Sequence, residues 1–337
     1  MTMHPILKRL IGLAVVVLGV TMVTFAISRL IPGDPAQLLA GPRASADAVA
    51  RIRDSLGLDQ PLIVQYGRYL ADLLHGDFGT SIVTGRSVAA DLLSVFPATI
   101  ELVLVALSMS VTAGIVLGTL AAVFRESLFD YAVRLFASLS ISVPSFWLAL
   151  VLLLLFYGQW GLLPGDGRIG VGFDPPPMVT GFHLIDALIA GDGALFIDVL
   201  RHLALPAATL ALVSVGGLIR VSRTSMIEVL HEDYIRTAVA GGLRWRQVVF
   251  NHALRNALVP VVTLLGMEAA GLLFGAVVVE SVFVWPGAGS YVLNAIFTLD
   301  FPVIMGFTVI VSVAYVVINA LTDLAYRRLN PRMAEAG

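Results

Sequence analysis

Six apolar runs, each about 20 residues long, are spread along the chain, and this is the length that a helix needs to cross the hydrocarbon core of a membrane. Charged residues make up 13% of the chain, about half of the share that is usual in soluble domains. The sequence therefore predicts an all-α, polytopic membrane protein. The predicted spans are residues 10–31, 98–123, 133–157, 203–221, 258–283 and 303–325.

Two local features refine these spans. Pro144 lies inside the third run and predicts a kink there, because proline removes a helical hydrogen bond. The first run is too long for a signal peptide, and no small-residue cleavage site is evident before Pro32. We expect it to be an uncleaved membrane anchor.

The basic residues predict the orientation. Of the 21 Lys and Arg residues, 13 fall at the N-terminus, in two alternate loops and at the C-terminus, which would all lie on one side of the membrane. The positive-inside rule places that side, and both termini, in the cytoplasm. The expected segments are the N-terminus with the first transmembrane helix (1–32), an external helical cap (33–97) and a five-helix permease core (98–337).

The external cap is predicted to be helical. Ser45 is expected to cap a helix over 46–56 that ends at Gly57. A second helix is expected over 62–75, ending at Gly76, and a third over 87–95, ending before Pro97.

A polar, arginine-rich segment, about 226–257, separates the fourth and fifth spans. Apolar spacing predicts a helix over 226–240, and Gly241-Gly242 should break it because glycine adopts positive φ freely. A second, amphipathic helix is expected over 244–257. The simplest interpretation is a loop that touches lipid headgroups; the alternative is a docking site for a partner protein, with Arg and Trp as anchors.

The order of several motifs resembles the dipeptide/oligopeptide permease family of ABC importers. The motifs are Ile31-Pro32-Gly33-Asp34-Pro35, Gly76-Asp77-Phe78-Gly79, Pro97-Ala98-Thr99-Ile100-Glu101, Ser142-Val143-Pro144-Ser145-Phe146-Trp147, the polar segment itself, Glu280-Ser281-Val282-Phe283-Val284-Trp285-Pro286-Gly287 and Asn330-Pro331-Arg332. Together they cover nearly the whole chain.

In that family the segment 226–257 corresponds to the coupling loop, often called the EAA loop, on which the ATPase subunits dock. The resemblance implies coupling roles for Asp233, Tyr234, Arg236, Thr237, Ala238, Ala240, Gly241, Gly242, Arg246, His252 and Arg255. The family's loop usually reads Ala-Arg-Ala-Lys-Gly, whereas this chain has Ala238-Val239-Ala240-Gly241-Gly242, and Arg236 stands where the family has glutamate. Docking should therefore depend on the shape of the loop more than on particular ion pairs.

The resemblance also implies the partners and the fold. The fold would be that of a type I ABC importer permease in the bacterial inner membrane. The partners would be a second homologous permease, two ATPase subunits that carry ATP and Mg, and an extracytoplasmic peptide-binding protein. The cargo would be short peptides, with nickel, haem and glutathione as alternatives. No cofactor and no nucleic acid would bind this chain.

The residue inventory excludes several chemistries. The chain has no cysteine, which rules out disulfides, thiol catalysis and thiolate metal sites. Its one lysine, Lys8, is followed by Arg9, so no Walker A loop exists and ATP is not hydrolysed by that route. No nucleophile–base set indicates an intramembrane enzyme. A stand-alone secondary transporter stays open as an alternative, although no inverted repeat is visible.

Ionisable residues at membrane depth are candidates for function. Glu268 lies in the fifth span and is a candidate pathway residue, with a carboxylate paired to another span as the alternative. Gly271 and Gly275 form a close-packing motif, as do Gly114 and Gly118, and either pair could contact this chain or a partner permease. Snorkelling or capping near span ends is expected for Arg29, Glu101, Glu280 and Asp323.

Overall fold

The structure is a computed structural model, and it describes residues 5–30, 35–41, 44–55 and 57–329. Across these ranges the only β-type pairing is one bridge between Thr80 and Ser87, which confirms the all-α prediction. The α-helices of the described ranges are α1 (Pro5–Leu30), α2 (Pro35–Ala40), α3 (Ala46–Ser55), α4 (Leu62–Leu74), α5 (Val88–Val123), α6 (Leu128–Ser142), α7 (Ser145–Leu152), α8 (His183–Ile189), α9 (Gly193–Leu230), α10 (Asp233–Ala240), α11 (Trp245–Gln247), α12 (Leu254–Val282), α13 (Ala288–Thr298) and α14 (Phe301–Leu329).

Two π-helical segments extend this set. Leu153–Gln159 continues α7, and Val248–Ala253 joins α11 to α12 without a break. Among the described residues, five helical segments are long and apolar enough to span a membrane: α1 from Ile11, α5, α9, the continuous segment 245–282, and α14 as far as Thr322.

The sixth candidate span is broken rather than kinked. The helical segments Leu128–Ser142 and Ser145–Gln159 meet at an angle of 107°. Val143, which precedes Pro144, is extended with φ −86 and ψ 126, as expected for a residue that a proline ring excludes from the helical region. The interruption predicted at Pro144 is therefore present, but as a break between two helices rather than as a kink within one.

The helices extend beyond the predicted ends of the spans. The predicted separate helix over 87–95 is wrong, because α5 begins at Val88 and continues through Pro97. The chain at Gly181 packs closely against the helix at this point, since a Cβ on Gly181 would lie only 2.8 Å from the Pro97 ring. The predicted helices over 46–56 and 62–75 are confirmed as α3 and α4, and the Ser45 hydroxyl accepts a bond from the Ala48 amide at 3.3 Å.

The described residues form two compact units, residues up to 96 with 291–316, and residues 97–290 with 317 onward. In the first unit, Val88, Leu92, Ala295 and Val303 form a buried cluster. The carboxylate of Asp300 accepts hydrogen bonds from the Ser81 hydroxyl at 2.6 Å and from the Val83 amide at 3.2 Å. These bonds hold the segment that precedes α5. The division into 1–32, 33–97 and 98–337 concerns membrane topology and stays a prediction.

The second unit is built around α9, which is buried along most of its length and contacts α6, α7, α8 and α12. Glycine allows α5 to approach α9 very closely. A Cβ on Gly114 would lie 2.5 Å from the Leu218 Cβ, and a Cβ on Gly118 would lie 2.5 Å from the Ser222 Cβ. The first glycine motif therefore packs within this chain.

Candidate functional site

The coupling loop begins with an unpredicted break. Helix α9 ends at Leu230, the His231 Nδ1 lies 2.7 Å from the Ile227 carbonyl oxygen, and Glu232 is extended with ψ 147. The prediction of one helix over 226–240 is therefore wrong. The extended Glu232 leaves the spacing of the apolar residues unchanged, but it separates α9 from the short helix α10.

The predicted glycine break is present. The Gly241 amide donates to the Thr237 carbonyl at 2.9 Å and closes α10. Gly242 has φ +82, in the left-handed region that glycine adopts without a steric penalty. No atom lies within 4 Å of where its Cβ would be, so backbone conformation rather than space requires glycine here.

After the turn, the chain is helical from Trp245 to Val282. The Gln247 Oε1 accepts from the Arg244 amide at 3.3 Å at the start of this segment. A π-helical stretch, Val248–Ala253, leads directly into α12. The second half of the coupling loop is therefore a continuation of a membrane span rather than a separate helix.

One side of the coupling loop is buried. Ile235 of α10 and Val248 and Val249 of the π-helical stretch form a single apolar cluster. The cluster is completed by residues at the ends of three long helices, namely Ala122 of α5, Met226 of α9, and Ala253 with Ala257 beside the start of α12. Because burying such side chains stabilises contacts by roughly 1.5–3 kcal/mol each, the loop and these helix ends form one packed body.

The other side of the coupling loop is exposed. Among the predicted coupling residues, Ala238 is half-buried, and the exposed ones are Asp233, Tyr234, Arg236, Thr237, Ala240, Gly241, Gly242, Arg246, His252 and Arg255. Large apolar side chains lie among them, with Trp245 exposed to 49%, together with Val239, Leu243 and Phe250. Helical spacing alone did not single out Leu243 or Phe250, because their exposure depends on the turn that precedes them.

Two polar contacts fix the exposed side. The Asn256 Nδ2 donates to the Tyr234 hydroxyl at 2.7 Å and ties α10 to the start of α12. Arg236 pairs with Asp233 at 3.1 Å within α10 itself. Both residues of that pair were predicted to serve coupling, and the structure brings them together on the exposed face.

A buried ion pair below the loop was not predicted. The Arg223 guanidinium of α9 makes two bonds to the Asp130 carboxylate of α6, at 2.6 Å from Nε and 2.8 Å from Nη2. Asp130 is fully buried. Bidentate pairs of this kind fix geometry strongly, so α6 is held to the end of α9 that carries the coupling loop.

The candidate pathway residues lie on α12. Glu268 accepts a hydrogen bond from the Ser214 hydroxyl of α9 at 2.6 Å, and it is half-buried. Gly271 is exposed, with no atom within 4 Å of where its Cβ would be, whereas a Cβ on Gly275 would touch Leu210 at 3.5 Å. In the second glycine motif, Gly275 therefore contacts α9, whereas Gly271 faces open space.

Near the opposite end of α5, Glu101 and Glu280 are buried, so the expectation of snorkelling is wrong. Each carboxylate nevertheless accepts from an amide in the first turn of a helix, α8 for Glu101 and α13 for Glu280, as expected for capping. Glu101 bonds to the Arg168 Nη2 at 2.5 Å and accepts from the Leu184 amide at 2.7 Å. Glu280 is fully buried and accepts from the Thr99 hydroxyl at 2.5 Å and the Ser290 amide at 2.8 Å. The side chain of Asp323 lies outside the described residues.

Three ionisable groups between α7 and α9, namely Arg168, His183 and Asp186, have shifted pKa values. Burial lowers the pKa of the Arg168 guanidinium, and the neighbouring Glu101 carboxylate opposes that shift. Burial, and then the charge on Arg168, lower the pKa of His183 to about 4. Burial acts to raise the pKa of Asp186, but hydrogen bonds from Thr180 and Gly181 outweigh it and the net shift is downward. His183 is therefore neutral at neutral pH.

These features define a class of protein, namely a polytopic helical membrane protein with a helical loop that is anchored to three spans. Residues 114–335 match the family described as binding-protein-dependent transport system inner membrane component, and residues 2–103 match its N-terminal region. The chain belongs to this family, and it is a permease of the dipeptide/oligopeptide ABC importer type.

Similar proteins cover the chain from end to end. The probable D,D-dipeptide transport system permease protein DdpB of Escherichia coli K12 is 52% identical over 338 residues, which are 100% of this chain and 99% of that protein. The di/tripeptide transport system permease protein DppB of Pseudomonas aeruginosa is 42% identical over 94% of both chains. The dipeptide transport system permease protein DppB of Escherichia coli K12 is 41% identical over 97% of this chain and 98% of that protein.

Proposed function

We propose that this chain is one of the two permease subunits of an ATP-driven, binding-protein-dependent importer of short peptides in the bacterial inner membrane. The named substrates of the relatives, dipeptides and tripeptides, support the substrate class. The other subunits in this proposal are a second homologous permease, two ATPases that carry ATP and Mg, and an extracytoplasmic peptide-binding protein. Both termini lie in the cytoplasm.

The observation that carries the proposal is the two-sided coupling loop. Its buried side joins the ends of α5, α9 and α12, and its exposed side presents Trp245 and Phe250 among arginines. Aromatic residues and arginine dominate the binding energy of protein interfaces. An ATPase groove that clasps the exposed side would therefore move three membrane helices together, and ATP binding and hydrolysis would alternate the cavity between outward and inward access.

Replacing Trp245 with alanine should weaken ATPase docking by about tenfold or more, since interface tryptophans commonly contribute about 2 kcal/mol. The measurement is the amount of ATPase that co-purifies with the tagged chain from its native membrane, quantified by mass spectrometry. Trp160 is a matched control, because it is equally exposed, at 55%, and lies outside the coupling loop. Its alanine variant should retain the ATPases.

Two results would contradict the proposal. One is equal ATPase recovery with both variants. The other is a homogeneous preparation of this chain without ATPases that still transports in liposomes, which would favour a stand-alone secondary transporter. Nickel, haem or glutathione found on the accompanying binding protein would keep the importer and replace the peptide substrate.

We further propose that Glu268 borders the substrate pathway, where its carboxylate would contact the ammonium terminus of a passing peptide. Glu268→Gln keeps the shape and removes the charge, so uptake should fall about tenfold, consistent with the loss of one charge-assisted hydrogen bond. Ser214→Ala is the control, because it removes only the bond between α9 and Glu268. The measurement is the initial rate of dipeptide uptake into proteoliposomes. An unchanged rate for Glu268→Gln would show that Glu268 has a packing role and does not contact the peptide.

A further inference from the structure

A cavity of about 440 Å³ with a mixed polar and apolar lining lies in the first compact unit, between α1, α4 and the start of α14. Its volume is within the range that suits a small-molecule group. Apolar residues such as Phe25 and Met305 line part of it. The polar residues that line it, and on which its chemistry depends, are Arg29, Gln65, Arg68, Tyr69, Asp72 and Asp77.

Three buried polar atoms of these residues have no hydrogen-bond partner among the described residues, namely Arg29 Nε, Gln65 Oε1 and Tyr69 OH. Within the same ranges the Arg29 guanidinium has no carboxylate partner, and its one charge-related contact is with the face of the Phe25 ring, at 5.2 Å. Arg29 therefore does not simply snorkel. Buried polar groups in native proteins are almost always paired, so this set indicates a polar ligand.

The position of α4 indicates where that ligand comes from. The Tyr66 hydroxyl lies 3.0 Å from the Thr21 hydroxyl and 3.1 Å from the Leu18 carbonyl, and both of these belong to the membrane-spanning part of α1. Thr21 is nine residues before Leu30, about 14 Å along the helix. Helix α4 thus lies beside a membrane span rather than beyond it.

Both helices that line the cavity also present apolar side chains outward. On α4, Ile63 is exposed to 80% and Leu74 to 88%, and Met22 and Ile27 of α1 are exposed as well. Tyrosines together with exposed aliphatic residues are typical of the boundary between hydrocarbon and headgroups. The cavity is therefore at the level where phospholipid headgroups lie.

The charges of the cavity balance. Two guanidinium groups, Arg29 and Arg68, and two carboxylates, Asp72 and Asp77, line it, and Asp77 also accepts from the Gly79 amide at 2.8 Å. A purely anionic headgroup would satisfy only the arginines. We propose that the cavity binds the zwitterionic headgroup of a phospholipid of the phosphatidylethanolamine type, with its phosphate on Arg29 and Arg68 and its ammonium on Asp72 and Asp77.

The test is native mass spectrometry of the assembled transporter released from nanodiscs that contain equal amounts of phosphatidylethanolamine and phosphatidylglycerol. One phosphatidylethanolamine should survive collisional activation that strips the other lipids. Arg29→Gln should reduce its retention about tenfold, since a charge-assisted hydrogen bond is lost. Arg68→Gln should also reduce the retention of phosphatidylethanolamine. Because the Arg68 side chain is exposed, this second variant should fold normally and so tests the site even if Arg29→Gln misfolds.

Two further variants sharpen the result. Asp72→Asn should lower the ratio of retained phosphatidylethanolamine to phosphatidylglycerol, because it removes a partner of the ammonium group. Arg51→Gln is the matched control, an exposed arginine of the same unit that does not line the cavity, and it should change nothing. Equal retention of the two lipids by the unaltered protein, or retention that Arg29→Gln and Arg68→Gln leave unchanged, would overturn the proposal. So would a tripeptide that occupies the site in place of lipid.

Discussion

Gly242→Val is expected to insert normally into the membrane and yet to lose at least about tenfold of its peptide uptake per ATP hydrolysed. Gly242 has φ +82, and a β-branched residue in this region costs roughly 1–2 kcal/mol or forces the turn to change. A changed turn redirects α10 relative to the helix that starts at Trp245. Under the coupling role that we propose, the exposed side would then no longer be aligned with the buried side that joins it to α5, α9 and α12.

The control for this variant is Gly242→Asn, because asparagine tolerates the left-handed conformation far better. A second control is Gly241→Ala, since Gly241 has φ −75 and an added Cβ would meet the Thr237 carbonyl oxygen at an acceptable 3.4 Å. Both should keep most of the uptake. The readout is simultaneous uptake and ATP hydrolysis in proteoliposomes containing all subunits, and normal coupling in the valine variant would show that the turn does not transmit force.

Glu101→Ala is expected to be among the most destabilising single substitutions in the chain. It leaves the Arg168 guanidinium, 8% exposed, without the carboxylate that neutralises it. Removing one partner of a buried pair typically costs about 3–5 kcal/mol, because the remaining charge is desolvated without compensation. The melting temperature of the purified chain in detergent should fall clearly, and the segment that carries Arg168 should become sensitive to proteolysis.

A double variant tests whether the lost stability comes from the unpaired charge or from the lost side-chain volume. Glu101→Leu with Arg168→Met replaces the pair by apolar groups of similar size and should recover most of the lost stability. The exposed pair Arg236–Asp233, with side chains 72% and 94% exposed, is the matched comparison, and Arg236→Ala should leave the melting temperature unchanged. If Glu101→Ala melts like the unaltered protein, the pair contributes nothing and its burial needs another explanation.

Apolar run length and glycine chemistry were enough to predict much of this fold. The five long spans, the bent pair of helices that is a candidate sixth span, the helices α3 and α4 and the turn at Gly242 all depend on local sequence. The break after Leu230 was missed because an extended Glu232 leaves the apolar spacing undisturbed. The continuous helix through Pro97 was missed because the local preference of proline predicts a helix end there.

The polar pairs could not be predicted for a different reason. Arg168 and Glu101 are 67 residues apart in sequence, Arg223 and Asp130 are 93 apart, and Thr99 and Glu280 are 181 apart. Helical periodicity relates residues within a few turns and carries no information on partners at these separations. The exposure of the arginines in segment 226–257 was predictable in outline, whereas the cavity between α1 and α4 required the fold.

The glycines at 114 and 118 bring α5 so close to α9 that no side-chain layer separates the two backbones. Helix α6 also contacts the α9 backbone directly, because the Ser140 hydroxyl donates to the Leu212 carbonyl oxygen and accepts from the Gly216 amide at 3.2 Å. A buried cluster of residues from α5, α6 and α9 joins all three helices. We therefore expect these helices to move as one body during transport, with the bending confined to the segments that connect them to the rest of the chain.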